Sequence, residues 1–165
     1  MILSAQTIAD LKILKPCEEP GKFRGMSYGL SHCGYDVRVD LMDQDYPALE
    51  KAILPEGCGI VLDPGQTTLI AVREHFNMPP DIAGFVHPKS SWSRRGLVVP
   101  HAVIEPGWKG YLTIAVSNSG ADKLTICDGD PIAQIVFHQI DEVPVRTYSG
   151  KYQGQQRGPQ GPKFE

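Results

Sequence analysis

Short β-branched runs alternate with Gly/Pro punctuation along most of this chain, and that alternation leaves little but an all-β fold open to it. Gly59-Ile-Val-Leu, Thr67-Thr-Leu-Ile-Ala-Val, Ile82-Ala-Gly-Phe-Val, Leu97-Val-Val, Tyr111-Leu-Thr-Ile-Ala-Val and Ile132-Ala-Gln-Ile-Val-Phe all have strand length and strand composition. Asp63-Pro-Gly, Met78-Pro-Pro, Glu105-Pro-Gly and Asp128-Gly-Asp-Pro stand between them as turns. Many short strands joined by such turns predict a sandwich, jelly roll or distorted barrel. At 165 residues with no internal repeat, a single domain spanning 1–165 is expected.

Two segments fall outside the strand pattern. Ser4 to Leu14 is the best helix candidate: Ser4 can cap it, Ile8, Leu11 and Leu14 recur at helical spacing, and Pro16 sets the latest stop. Cys17 to Ser31 is polar and Gly-rich and is expected to form an ordered loop. At the other end, residues 150–165 carry four Gly, two Pro and four Gln, and almost no apolar mass. Such a segment is expected to be a mobile, lid-like tail.

Composition excludes several classes of function. A net charge of −3 argues against a general nucleic-acid binder, though a pocket for a small anion needs only a few well-placed cations. Cys17, Cys33, Cys58 and Cys127 form no C-x-x-C pair, so no zinc knuckle or redox motif is expected. No apolar run approaches membrane-spanning length, and the first residues lack a signal-peptide pattern. The expectation is a cytoplasmic protein with reduced thiols and no membrane partner.

Four clusters can carry chemistry. In Lys89-Ser-Ser-Trp-Ser-Arg-Arg-Gly, the hydroxyls of Ser90 and Ser91 beside Lys89 and Arg94 suit a phosphate, and equally a solvated basic turn. In Ala102-Val-Ile-Glu-Pro-Gly-Trp-Lys-Gly, Glu105 sits where a strand ends over a pocket. Such a carboxylate can orient water or bind a sugar hydroxyl, or simply be an exposed turn residue. In His32-Cys-Gly-Tyr-Asp-Val-Arg, turn chemistry explains Asp36 as well as a metal or ligand contact does. Tyr148-Ser-Gly-Lys-Tyr-Gln-Gly-Gln-Gln-Arg-Gly can close over an anion or trail as a disordered terminus.

Taken in order, these blocks resemble the dCTP deaminases from end to end. Gly-Tyr-Asp, Lys-Ser-Ser-x-x-Arg-x-Gly, Ile-Glu-Pro-Gly-Trp-x-Gly, Ile-Ala-Gln-Ile-Val-Phe and Gly-Lys-Tyr-Gln-Gly-Gln follow one another across residues 1–158. The same series is similar to the trimeric dUTPases. The resemblance implies a mainly β, distorted barrel or jelly roll of the dUTPase-like type, with a short N-terminal helix. It also implies a homotrimer whose active sites collect residues from neighbouring chains, and a deoxypyrimidine triphosphate held with Mg²⁺ and no zinc. Carried over by position, Lys89, Ser90, Ser91 and Arg94 would hold phosphates or assist the reacting water. Gln134 would reach the phosphate region, and Tyr148, Lys151 and Gln155 would lie over the triphosphate. Glu105 would contact the deoxyribose, and Asp36 would sit near the metal and phosphates. His101 would contact the base, or be an ordinary strand-end histidine.

The chain departs from that pattern at one position. Deaminating members carry a glutamate on the strand after Gly-Trp-x-Gly, in a pattern like Leu-Thr-Leu-Glu-x-x-Asn, where this chain reads Leu112-Thr-Ile-Ala-Val-Ser-Asn. Ala115 cannot carry protons to and from cytosine. The resemblance therefore implies dCTP deamination to dUTP and ammonia, with catalysis by Ser90, Arg94 and Glu105 and a deficit at Ala115. The alternatives are pyrophosphate release from dUTP or another deoxynucleotide, and nucleotide binding without catalysis.

Overall fold

The computed structural model describes residues 1–42, 46 and 49–164. Glu165, the last residue of the expected tail, lies outside them. The chain is mainly β, as its turn-punctuated runs predict, with thirteen strands among the described residues. The strands are β1 (Leu14–Lys15), β2 (Gly21–Phe23), β3 (Met26–Ser31), β4 (Gly34–Asp40), β5 (Glu50–Leu54), β6 (Gly57–Leu62) and β7 (Thr67–Asn77). They continue with β8 (Ile82–Pro88), β9 (Leu97–Val98), β10 (Ala102–Ile104), β11 (Lys109–Asn118), β12 (Leu124–Cys127) and β13 (Pro131–Gln139).

Ten strands join one curled sheet whose main path runs β10-β8-β13-β4-β7-β11-β9. A separate sheet of three runs β12-β6-β5. Strand β4 makes the curl. Its first half pairs with β13 and β3, whereas Val39 and Asp40 pair with Val72 and Ala71 of β7. At the changeover residue, Arg38, the backbone N–H donates to the buried carboxyl of Glu74 on β7, at 3.3 and 3.1 Å to its two oxygens. The side chain thus supplies an acceptor to a backbone donor at the point where β4 changes neighbours.

Period-two alternation sorts the second halves of β11 and β13. Ile135 and Phe137 of β13 and Ile114 and Val116 of β11 enter the core, where they meet Tyr35, Phe76, Ile8 and Trp92. Apolar burial of this kind supplies about 25 cal/mol per Å² and is the main force closing the sheet.

The N-terminal helix α1 (Ala5–Leu11) is shorter than its apolar spacing predicts. Ser4 caps it, accepting from the Thr7 N–H, but Lys12 turns left-handed (φ 53°) and ends it. Leu14 is then buried as part of β1, opposite Phe76, and Leu11 stays largely exposed. The same spacing therefore fits a short helix followed by a strand. Residues 17–31, expected as a loop, hold the β2–β3 hairpin. Its two-residue turn, Arg24-Gly25, has positive φ at both positions (48° and 78°), the geometry that matches strand twist.

Candidate functional site

A pocket of about 640 Å³ opens beside the outer face of β11, under the C-terminal segment. Its walls come from β10, the Glu105–Trp108 turn, β11 and the tail. The turn exists because β10 ends at Glu105-Pro106-Gly107. The Trp108 N–H closes it on the Glu105 carbonyl at 3.1 Å, and Gly107 (φ 81°) runs so close to Thr147 that a Cβ there would lie 2.6 Å from it. Glu105 faces the pocket and is exposed, and its side chain makes no hydrogen bond or ion pair among the described residues.

On β11, residues 113 and 115 face outward while 114 and 116 are buried. Ala115, paired with Leu69 of β7, therefore lies on the same wall system as Glu105, and both line the pocket. Glu105 is the only acidic residue among the lining residues described. Around it the surface is largely apolar: Leu69, Val86, Val103, Ile104, Leu112 and Ala115.

Residues 148–164 pack along this pocket rather than projecting from the end of the chain. The Trp108 indole donates to the Tyr152 carbonyl at 2.7 Å, and the Tyr111 N–H donates to Gln155 O at 3.0 Å. Gln155 Nε2 reaches Thr113 Oγ1 at 2.5 Å, and the Gln160 N–H donates to the same oxygen at 3.1 Å. Tyr148, Tyr152, Gln155 and Gln160 join the pocket lining. Lys151 is exposed and does not, its ammonium lying 5.7 Å from the centre of the Tyr152 ring. Trp108, Thr113, Tyr152 and Gln160 are contributions that sequence reading missed. The fold brings them together across more than forty residues of chain, a distance over which no local motif signals contact.

The cationic cluster lies elsewhere on the chain. Trp92, 1% exposed, anchors the short helix α2 (Ser90–Ser93) by donating its indole N–H to the Pro131 carbonyl at 2.8 Å. With Trp92 turned inward, Ser90, Ser91 and Arg94 are left exposed, and their side chains have no hydrogen bond or ion pair among the described residues. Lys89 differs. Its ammonium is buried against Asp36 Oδ2 at 2.8 Å and Ser27 Oγ at 3.0 Å, while Asp36 Oδ1 is buried without a partner. In a single chain Lys89 therefore holds Asp36 and the base of the motif, while the side chains of Ser90, Ser91 and Arg94 stay exposed.

Gln134 on β13 stands in register with Asp36 of β4 and His87 of β8, and its amide donates to Ser31 Oγ at 3.2 Å. His101 precedes β10 and bonds through Nδ1 with the Val86 carbonyl at 3.2 Å, its ring edge-on to His87 at 5.2 Å. Burial, then the neighbouring His101 and His138, hold the His87 pKa below its ordinary value. Thus Glu105, Ala115, Tyr148 and Gln155 share one pocket, whereas Asp36, Lys89, Ser90, Ser91, Arg94, His101, Gln134 and Lys151 are not among its lining residues.

Comparison with known proteins adds a family to this geometry. A family model described as dCTP deaminase-like matches residues 22–140. A dCTP deaminase of Herpetosiphon aurantiacus is 34% identical over 152 residues, covering 82% of this chain and 83% of that protein. A dCTP deaminase of Campylobacter jejuni is 33% identical over 160 residues, covering 87% and 86%. Among solved structures, the Staphylococcus bacteriophage 80alpha dUTPase (D81N mutant) superposes with a TM-score of 0.54 at 17% identity, covering 84% of this chain and 97% of that one. At that identity the likeness is one of fold.

Proposed function

The chain belongs to the dCTP deaminase-like family, and on that footing we propose that its pocket binds a deoxypyrimidine nucleoside triphosphate, with dCTP the leading candidate. The observation that carries this reading is the unengaged carboxylate of Glu105, set at the rim of a largely apolar pocket of base-and-sugar size. Apolar walls can hold a pyrimidine ring. Glu105 can take a hydrogen bond from a sugar hydroxyl or orient a water, as its free lone pairs allow.

The phosphates need cations, and among the described residues that line the pocket none is one. Ser90 and Ser91 on α2 and Arg94 at its C-terminal cap, exposed and uncommitted, supply the donors if a second copy brings its α2 to the pocket. A homotrimer with shared sites is the proposed assembly. Among the described residues no group of three or more His, Cys, Asp or Glu side chains could hold a metal ion. A Mg²⁺ would therefore be held mainly by the triphosphate oxygens, where it would neutralise phosphate charge.

Ala115 sets the limit on chemistry. Water attacking cytosine C4 must lose protons that the departing ammonia takes up, and a methyl group on this wall can move none. Deamination of dCTP is proposed as the ancestral reaction of the site, weakened here at that step. A second reading is favoured by Glu105 being the pocket's sole acid among the described residues: release of pyrophosphate from dUTP or a related triphosphate, which needs no proton carrier at 115.

One assay separates these readings. The protein and its Ala115→Glu variant are incubated with dCTP and with dUTP plus Mg²⁺, and ammonia and pyrophosphate are followed separately. The variant is expected to gain about 10²–10⁴-fold in ammonia release through kcat, with dCTP affinity little changed. Rapid ammonia release by the unaltered protein would show that Ala115 is not the decisive position. Pyrophosphate release from dUTP by the unaltered protein would support the second reading. Tight binding with neither product, in both proteins, would leave a nucleotide-binding protein.

A further inference from the structure

A polar tail with almost no apolar mass needs a specific tether to stay over a pocket, and β4 offers one. Asp40, at the end of β4, has a carboxylate with no solvent exposure. Arg157 reaches it as a two-pronged fork, Nε to Oδ2 at 2.5 Å and Nη2 to Oδ1 at 3.0 Å, and the Met42 N–H donates to Oδ1 at 3.2 Å. Arg157 lies between Gln155 and Gln160, the two tail residues that donate to Thr113 on the pocket wall. Its guanidinium is half-exposed, so the pair joins a surface cation of the tail to a buried anion at the end of β4.

We propose that Asp40 and Arg157 are positioning residues: a latch that fixes the tail over the pocket and so sets nucleotide affinity. The proposal rests on the reading of the pocket as a nucleotide site. Physically, lifting the tail strips Asp40 of two charge-assisted hydrogen bonds, the strong class of such bonds, so the open state is disfavoured. A latch centred on residue 157 presses Gln155 and Gln160 onto Thr113 from both sides in sequence. Their shared acceptor, Thr113, sits two residues along β11 from Ala115, so closure shapes the wall where the base is proposed to lie.

Hydrogen exchange read by mass spectrometry on the full chain tests the latch without any ligand. Arg157→Ala and Asp40→Asn should each raise exchange in peptides covering 150–164 by about tenfold or more, with peptides from β13 unchanged. Arg157→Lys, which keeps the charge and loses the fork, should fall between. Calorimetry with dCTP and with dUTP should then show about tenfold weaker binding in the two disrupting variants. Unchanged tail exchange in Arg157→Ala would overturn the latch. A released tail with undiminished affinity would overturn its service to the site. If Asp40→Asn loosens β13 as well, the surface variant Arg157→Ala decides. Unaltered protein that binds neither nucleotide would sink the functional reading, and the exchange measurement would still decide the latch.

Discussion

Glu74 shows at the scale of one residue how a sheet junction couples to pH. Burial pushes its carboxyl up to about 8, against the Arg38 N–H, which favours the charged form, and with Glu18 adding to the rise. The groups that face it are Arg38, Glu18 and the Tyr35 hydroxyl, itself pushed upward by burial and by Glu74. Between the ordinary glutamate range and about 8, the folded chain keeps a proton that the unfolded chain has released. Unfolded protein then binds fewer protons, so stability falls as pH rises through that window. Urea midpoints at pH 5 and pH 8 should differ more for the unaltered protein than for Glu74→Gln, which cannot ionise and still offers the Arg38 N–H an oxygen. Equal pH slopes in both proteins would show that Glu74 is charged throughout. Arg94 makes the opposite case. Its exposed guanidinium makes no hydrogen bond or ion pair among the described residues, so Arg94→Ala should leave the thermal midpoint unchanged and abolish tight dCTP binding by calorimetry. Unchanged affinity would remove it from the phosphate site.

At the scale of elements, Gly110 decides how close the tail can come. Its φ is 144°, and a Cβ there would lie 2.7 and 2.8 Å from the Gln155 backbone N and O. Gly110→Ala should displace the tail and expose residues 152–160 to proteolysis, with β11 still paired to β7. A tail as resistant as before would show that the Gly110 contact is dispensable. This close approach explains why the tail's packing could not be seen in the sequence. Composition reports apolar mass, and the tail has almost none. What docks it is hydrogen bonding to Trp108, Tyr111 and Thr113 and the Arg157–Asp40 pair. The six β-branched runs were legible from their composition and from the Gly/Pro turns between them. The β2–β3 hairpin was not, because Lys22, Ser27 and Tyr28 give it no apolar stripe. Its turn also asks Arg24, an L-residue, to adopt positive φ, and the Arg24 guanidinium is meanwhile held by Asp130 at 2.6 Å.

For the whole molecule, the main architectural fact is that Glu105 and Ala115 line the pocket, whereas Ser90, Ser91 and Arg94 are not among its described lining residues. The family resemblance implies a shared site, and among the described residues the pocket is lined by one acid and apolar walls with no cation. Light scattering at micromolar concentration should return three times the monomer mass. A monomer at that concentration would defeat the shared-site arrangement.

The separation of α2 from its own chain's pocket has a genetic consequence. A copy damaged by Glu105→Ala still carries a sound α2, and a copy damaged by Arg94→Ala still carries a sound pocket. In the proposed shared-site trimer, neither variant alone could assemble one whole site. Unfolded together in equal amounts and refolded, they would regain on the order of one quarter of the sites, because a random neighbour supplies the missing half. Two broken alleles would thus complement one another, and titration with dCTP would count the restored sites directly.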